Sequence, residues 1–128
     1  MENWLLFPTE QYKRDVKKYA KKHPHEHKAI TGNLDTYYRT LRELGHPMQI
    51  KAGFIHRESD GIKAIDQKGG KRKIKLEETR LYVYPDVTSK TLYLLKIGSK
   101  SSQKKIDTKF CRNFVKKIQK GDNHVKKV

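Results

Sequence analysis

Residues 82–106 read YVYPDVTSKTLYLLKIGSKSSQKKI, and this stretch decides the fold class. The runs 82–84 and 92–95 consist of aromatic and aliphatic residues that favour strands, and Pro85-Asp86 is typical of the turn between two antiparallel strands. After the second run the chain reaches Gly98 and a cluster of small and basic residues, where a helix can begin. The stretch therefore predicts a β-hairpin followed by a strand-to-helix junction.

The segments on either side complete an α+β pattern. Apolar residues recur every three or four positions in 9–23, in 30–44 and in 102–119, which predicts three amphipathic helices. Pro24 separates the first two, and Gly45 ends the second. Residues 3–7 and two runs around Ser59-Asp60-Gly61 are strand-like. We therefore expect a small twisted antiparallel sheet, an N-terminal helical hairpin packed on it, and a C-terminal helix.

Charge is the strongest compositional feature of the chain. Its 128 residues contain 30 Lys and Arg against 14 Asp and Glu, which leaves a net charge of +16. Such a charge attracts polyanions, most directly nucleic acids, although an acidic protein could cover the same surface. No run approaches the length of a membrane span, and the lone Cys111 suits a reducing compartment. We expect one cytoplasmic domain over residues 1–120 and a frayed basic tail over 121–128.

Several motifs can be interpreted either as ordinary structural features or as functional sites. The junction at Gly98 lacks the spacing of a phosphate-binding P-loop, so it is either a simpler phosphate site or an ordinary turn with Ser102 as N-cap. Three histidines in 23–27 favour a solvated turn over a zinc site, because no second ligand cluster accompanies them. Cys111 is expected to pack in the core. The sequence thus predicts neither a metal nor a cofactor.

Two basic segments are candidates for RNA contact. Residues 68–75, KGGKRKIK, carry five basic residues in eight and can be a solvated loop, a localisation-like patch or an arm on a phosphate backbone. On the strand that follows, Arg80, Tyr82 and Tyr84 share one face. A cation there can stabilise a phosphate and an aromatic ring can stack a base, unless this face simply meets water.

The order of these elements resembles the RelE/ParE toxin superfamily over about residues 3–118. The resemblance is carried by EETRLYVYPDVTSKTLYLLKIGSKSSQKKI (77–106), by the helical hairpin YKRDVKKYAKKHP with ITGNLDTYYRTLRELG, and by DGIKAIDQ. It implies a type II toxin that enters the ribosome and cleaves translated mRNA, in which the 2′-OH attacks the adjacent phosphate. It also implies an antitoxin protein with an acidic segment, held in a hetero-oligomer.

The resemblance assigns roles to particular positions. It implies a catalytic set of Arg80 and Lys100, with Lys63 or His56 from the preceding hairpin. Histidine ordinarily titrates near neutral pH, so His56 is the simpler proton carrier. The expected RNA contacts are Lys68, Lys71, Arg72, Lys73, Gln103, Lys104 and Tyr82. Some relatives have a tyrosine in the C-terminal segment, where this chain has Lys104-Lys105-Ile106-Asp107. A gyrase inhibitor of the ParE branch and a non-catalytic RNA- or ribosome-binding protein are the alternatives.

Overall fold

The computed structural model describes residues 3–69, 75–99 and 104–121. Their helices and strands confirm the α+β class. In chain order, the elements are β1 (Leu5–Pro8), α1 (Glu10–Lys22), α2 (Pro24–Leu44), β2 (Ile55–Arg57), β3 (Lys63–Asp66), β4 (Thr79–Asp86), β5 (Thr91–Ser99) and α3 (Lys104–Gln119). Short 3₁₀ turns lie at Pro47–Gln49 and Ser59–Gly61. Apart from Gly121, the expected basic tail lies outside the described residues.

The strands form one sheet in the order β1-β5-β4-β3-β2. Neighbours from β5 to β2 are antiparallel, as expected, whereas β1 runs parallel to β5, so the sheet is mixed. A parallel neighbour needs a long crossover connection, and the helical hairpin supplies the first part of it. The apolar run at 3–7 predicted this strand but contained no information on its direction.

The helical hairpin covers one face of the sheet. Pro24 opens α2, and Gly45 ends it with a left-handed φ of 80°, in line with the sequence. The core on this face combines alternate strand residues with one stripe of α2, because strand side chains alternate between faces and helix side chains repeat every three or four positions. Its central members are Ile30, Leu34, Tyr37, Leu41, Ile65, Leu81 and Val83.

Helix α3 covers the opposite face with a second core, formed by residues such as Ala64, Tyr82, Tyr93, Leu95, Cys111, Val115 and Ile118. In the sequence, Ile106, Phe110, Phe114 and Ile118 recur every four residues, with Cys111 and Val115 beside them. The structure buries Ile118, Cys111 and Val115 most deeply, so the buried face is rotated away from Ile106. Ile106 is 63% exposed, whereas Cys111 and Val115 are fully buried. Burial raises the pKa of the Cys111 thiol to about 12, in keeping with its predicted packing role.

Helix α1 takes the place of a strand along the last residues of β5. The pairing of β1 ends at Pro8 with Leu94, and Thr9 then caps α1 by accepting a hydrogen bond from the backbone N–H of Tyr12. The Thr9 hydroxyl also donates to the carbonyl oxygen of Leu95 at 3.1 Å. One turn and a half later, Asp15 Oδ2 accepts from the N–H of Ile97 at 3.0 Å. These bonds hold α1 beside the end of β5.

None of the helices in the described ranges is long and apolar enough to cross a lipid bilayer.

Candidate nucleic-acid site at the end of the sheet

A row of three residues crosses the sheet on the face that α3 covers. Asp66 on β3 lies opposite Arg80 on β4, and Arg80 lies opposite Gly98 on β5. Directly opposed residues of an antiparallel pair point to the same face, and Tyr82, two positions after Arg80, belongs to the core under α3. Because neighbouring strands are about 4.8 Å apart, the row spans about 10 Å. Two charged side chains and a glycine thus share one end of the sheet.

Asp66 orients the ring of His56 in this row. The distance from Asp66 Oδ2 to His56 Nε2 is 2.5 Å, and Asp66 Oδ1 accepts from the backbone N–H of Lys68 at 2.7 Å. The aspartate side chain is 5% exposed and the histidine side chain is 31% exposed. A buried carboxylate at one ring nitrogen fixes the orientation and the tautomer of a neutral imidazole. His56 is therefore an oriented proton-transfer group that solvent can reach.

The α2 helix fixes the segment that carries Asp66. Asn33 Nδ2 donates to the carbonyl oxygens of Asp66 and Lys68, at 2.8 and 2.9 Å. Gln67 Oε1 accepts from the N–H of Thr79 at 3.0 Å, so the start of β4 is fixed as well. These contacts join residues 33, 66–68 and 79, which are far apart in the sequence. They position the functional side chains on rigid backbone.

Arg80 adds a permanent positive charge to this cluster. It is 9% exposed and lines a small depression together with Asp66, Lys68 and Thr79. Lys68 adds an exposed cation, with its Nζ 4.0 Å from Asp66 Oδ2. Fixed cations beside a proton-transfer group are what a phosphoryl transition state requires. The structure therefore brings together two of the four predicted catalytic residues, His56 and Arg80.

Lys63 lies on the other face of the sheet and does not join this cluster. It pairs with Val83, which belongs to the core under the helical hairpin. There it lines a separate groove with Lys51 and Arg57, and partial burial together with the charge of Arg57 lowers its pKa. The strand register puts His56 and Lys63 on opposite faces, so the two alternatives for the basic group are not equivalent, and the geometry favours His56.

Tyr82 is not available to stack a base in this structure. Its side chain is fully buried beneath α3, and burial raises the pKa of its hydroxyl. Tyr82 shares the face of Arg80, as the strand alternation predicts. The part of that face near Tyr82 is covered by α3 and is open neither to RNA nor to water. The expected RNA contact of Tyr82 is therefore corrected to a core contact.

The remaining predicted residues are not described structurally. Lys71, Arg72, Lys73, Lys100 and Gln103 lie outside the described ranges, and only the backbone of Lys104, the first residue of α3, is described. Their roles stay predictions.

At the junction itself, Gly98 has a packing role. A Cβ built on Gly98 would collide with Oδ2 of Asp107, so the absence of a side chain lets α3 lie close to β5. Asp107 is 2% exposed, and its Oδ1 is 3.7 Å from Lys96 Nζ. Burial raises the pKa of Asp107, Lys96 opposes this effect, and the charge of Asp15 adds to it. The close packing of α3 on β5 therefore explains a glycine at position 98 without any bound phosphate.

Sequence reasoning missed the acidic members of this region. Asp66 follows the apolar pair Ala64-Ile65, and an acid that close to the end of a buried strand was the available signal for a partner of His56. Asp15 and Asp107 had no comparable signal, because charged residues are common on helices. Within the described ranges, no group of three or more His, Cys, Asp or Glu is arranged to hold a metal ion.

Comparison with models of protein families gave no match to this chain, and neither did comparison with curated proteins or with solved structures. A functional assignment therefore depends on the residues and their geometry.

Proposed function

We propose that this chain is a metal-independent endoribonuclease, a RelE-like toxin of a type II toxin–antitoxin system that cleaves translated mRNA at the ribosome. The observation that carries the proposal is the His56–Asp66 pair beside Arg80 on one face of the sheet, in a chain of net charge +16. The pair supplies proton transfer, Arg80 supplies charge stabilisation, and the overall charge attracts RNA.

In the proposed reaction, the substrate supplies the nucleophile. His56 accepts the proton of a ribose 2′-OH, and the 2′-oxygen forms a bond to the adjacent phosphorus. The bond from phosphorus to the 5′-oxygen of the next nucleotide breaks, that oxygen takes up a proton from water, and His56 returns its proton to the solvent. The products are a 2′,3′-cyclic phosphate and a 5′-OH. Arg80 stabilises the extra negative charge on the phosphoryl oxygens, and Lys68 attracts the neighbouring backbone.

The proposed partners follow from charge. Ribosomal RNA presents phosphate at high density, which suits a strongly basic protein in the cytoplasm. An antitoxin with an acidic segment would neutralise the same charge in a hetero-oligomer. Lys71, Arg72, Lys73, Lys104 and Gln103 are proposed RNA contacts, and Lys100 is a proposed phosphate ligand beyond the end of β5.

The test is mRNA cleavage in a translating extract, with and without ribosomes. We expect His56→Ala and Arg80→Ala to reduce cleavage by about 10²-fold or more each, because each removes a transition-state interaction. Lys100→Ala should do the same. His25→Ala and Arg112→Ala, at exposed sites on α2 and α3, are matched controls and should cleave like the wild type.

Two results would contradict the ribonuclease proposal. If the wild-type protein leaves mRNA intact under both conditions, gyrase inhibition or simple RNA binding becomes the better function. If His56→Ala and Arg80→Ala, with unchanged far-UV circular dichroism, cleave as fast as the two controls, the cluster is not the active site. The ends of the cleaved RNA provide a second check, since the mechanism requires a cyclic phosphate and a 5′-OH.

A further inference from the structure

A cleft of about 380 Å³ lies between α1 and the end of β5, next to the row that contains Arg80. Its lining includes Lys18, Tyr19 and Lys22 from α1, His23 directly after that helix, and Lys96 and Gly98 from β5. We call it the α1 cleft. Gly98 is directly opposite Arg80, one strand spacing or about 4.8 Å away. Gly98 therefore belongs both to the lining of the cleft and to the row that contains Asp66 and Arg80.

The cleft contains two neighbouring aromatic rings in a tilted arrangement. Tyr19 and His23 are one helical turn apart, with ring centroids 5.1 Å apart and planes inclined by 42°. Tyr19 is partly buried against the core, and His23 is exposed at the end of α1. Unpaired RNA bases stack on tyrosine and histidine rings, whereas bases inside a duplex do not offer a free face. The ring pair therefore suits a single-stranded nucleotide.

Two lysines of the cleft are available for a phosphate. Lys18 and Lys22 are exposed and one turn apart, and among the described residues neither forms an ion pair with an acid. Lysine side chains in this arrangement bind phosphate as flexible point charges.

The two carboxylates of the cleft are held by neighbouring groups. Asp15 accepts hydrogen bonds from the N–H of Ile97 and from Gln11 Nε2, at 3.0 and 2.9 Å. Asp107 lies beside Lys96 and is 2% exposed. The lining contains three lysines, including Lys96, against these two aspartates. The negative charge is on the inner side, and the exposed rim is cationic.

We propose that the α1 cleft is a second RNA subsite, which takes one unpaired nucleotide of a single-stranded RNA. The base stacks on Tyr19 and His23, and the phosphate lies between Lys18 and Lys22. The subsite deepens the proposed function by placing the nucleotide next to the scissile one, and it rests on that function for the choice of RNA as ligand. Its role is binding, so it is measurable without any cleavage.

The test is binding of a short single-stranded RNA, 2′-O-methylated so that it cannot be cleaved, followed by fluorescence anisotropy. We compare Lys18→Gln/Lys22→Gln with Lys17→Gln/Lys21→Gln. Both double variants remove two exposed charges with the same spacing from the same helix, about 100° apart around its axis. Only the first pair should weaken binding several-fold and reduce the slope of log affinity against log salt by about 0.7, the value for one phosphate of a single strand.

The ring pair has its own variants. Tyr19→Leu should weaken binding between about fivefold and a hundredfold, while Tyr19→Phe stays within about twofold, because stacking needs a ring and not the hydroxyl. Tyr19 contacts the core, so thermal melting must show that the leucine variant is folded. If it is not, His23→Ala at the exposed ring replaces it, with His25→Ala as its control.

Equal losses for the two lysine pairs, or equal affinity for the leucine and phenylalanine variants, would overturn the subsite. Neither outcome bears on the ribonuclease proposal, which is tested separately by cleavage of unmodified mRNA. Conversely, if the wild type cleaves nothing and the lysine pairs still differ as expected, the subsite stands and the ribonuclease proposal fails.

Discussion

At the scale of single residues, Gly98 is where the sheet and α3 come closest. Replacement by alanine would place a methyl group against Asp107, and overpacking of this kind costs about 1–3 kcal/mol of unfolding free energy. Urea unfolding of Gly98→Ala should show this loss. Gly53→Ala, whose added methyl would meet nothing within 4 Å, is the matched control and should change stability much less.

A second substitution tests whether the clash with Asp107 causes this loss of stability. In the Asp107→Ala background the obstructing carboxylate is gone, so adding Gly98→Ala should cost much less than it does in the wild type. Equal costs in both backgrounds would show that the glycine is needed for its backbone and not for the space it leaves.

Asp107 itself predicts a dependence of stability on pH. Burial raises the pKa of this carboxyl above its ordinary value of 3.8, so the folded state binds the proton more tightly than the unfolded state does. The contribution of this group to stability is full below the unfolded pKa and is lost as pH rises through the folded pKa. The free energy of unfolding of Asp107→Asn should therefore rise relative to the wild type as pH increases from the ordinary pKa of an aspartate through the raised pKa of the folded state. Parallel profiles would contradict the shift.

At the scale of elements, α2 contains a glycine that its helix does not need. Gly32 is exposed in the helix interior, and an added Cβ there would meet nothing within 4 Å. Gly32→Ala should raise the free energy of unfolding by up to about 1 kcal/mol, since alanine is the better helix former. Gly45→Ala, at the left-handed end of the same helix, should instead destabilise. Thermal and urea unfolding of both variants check the contrast.

The sequence predicted the elements better than the faces they present. Periodicity located α1 and α2, because each combines a single apolar stripe with a clear start or stop at Thr9, Pro24 or Gly45. In α3 two stripes compete, one through Ile106 and one through Cys111 and Val115. Helix spacing alone does not decide between them, and only the surface of the sheet selects the second.

The candidate site was predicted in part for a related reason. Both Lys63 and His56, on neighbouring strands, were candidates for the basic group, and only general histidine chemistry favoured His56. A shift of one residue in strand register exchanges the two faces of a sheet, so the turn at Ser59–Gly61 determines which of them accompanies Arg80. The partner of His56, Asp66, became evident only when the two strands were paired. The predicted RNA contact of Tyr82 was wrong because no local sequence pattern shows that a distant helix covers this residue.

At the scale of the whole molecule, acidic and basic side chains differ in burial. Five acids are buried, namely Asp15, Glu26, Asp66, Asp86 and Asp107, whereas Arg80 is the single buried cation in the described part of the chain. The acids bind backbone N–H groups, hydroxyls or cations inside the fold, as Asp15 does with Ile97 and Asp86 with the hydroxyl of Ser89. The surface that meets a polyanion is therefore more cationic than the net charge alone suggests.

The parallel pairing of β1 with β5 has a consequence for the timing of synthesis. Thr9 bonds to a residue 86 positions later, and Asp15 bonds to one 82 positions later. Contacts over such separations form slowly, and they cannot form at all before β5 has left the exit tunnel. A nascent chain therefore keeps its first strand and the inner side of α1 without their partners for most of its translation. A protein proposed to attack messages at the ribosome assembles its own cleft only after residue 97 has left the exit tunnel of the ribosome that makes it.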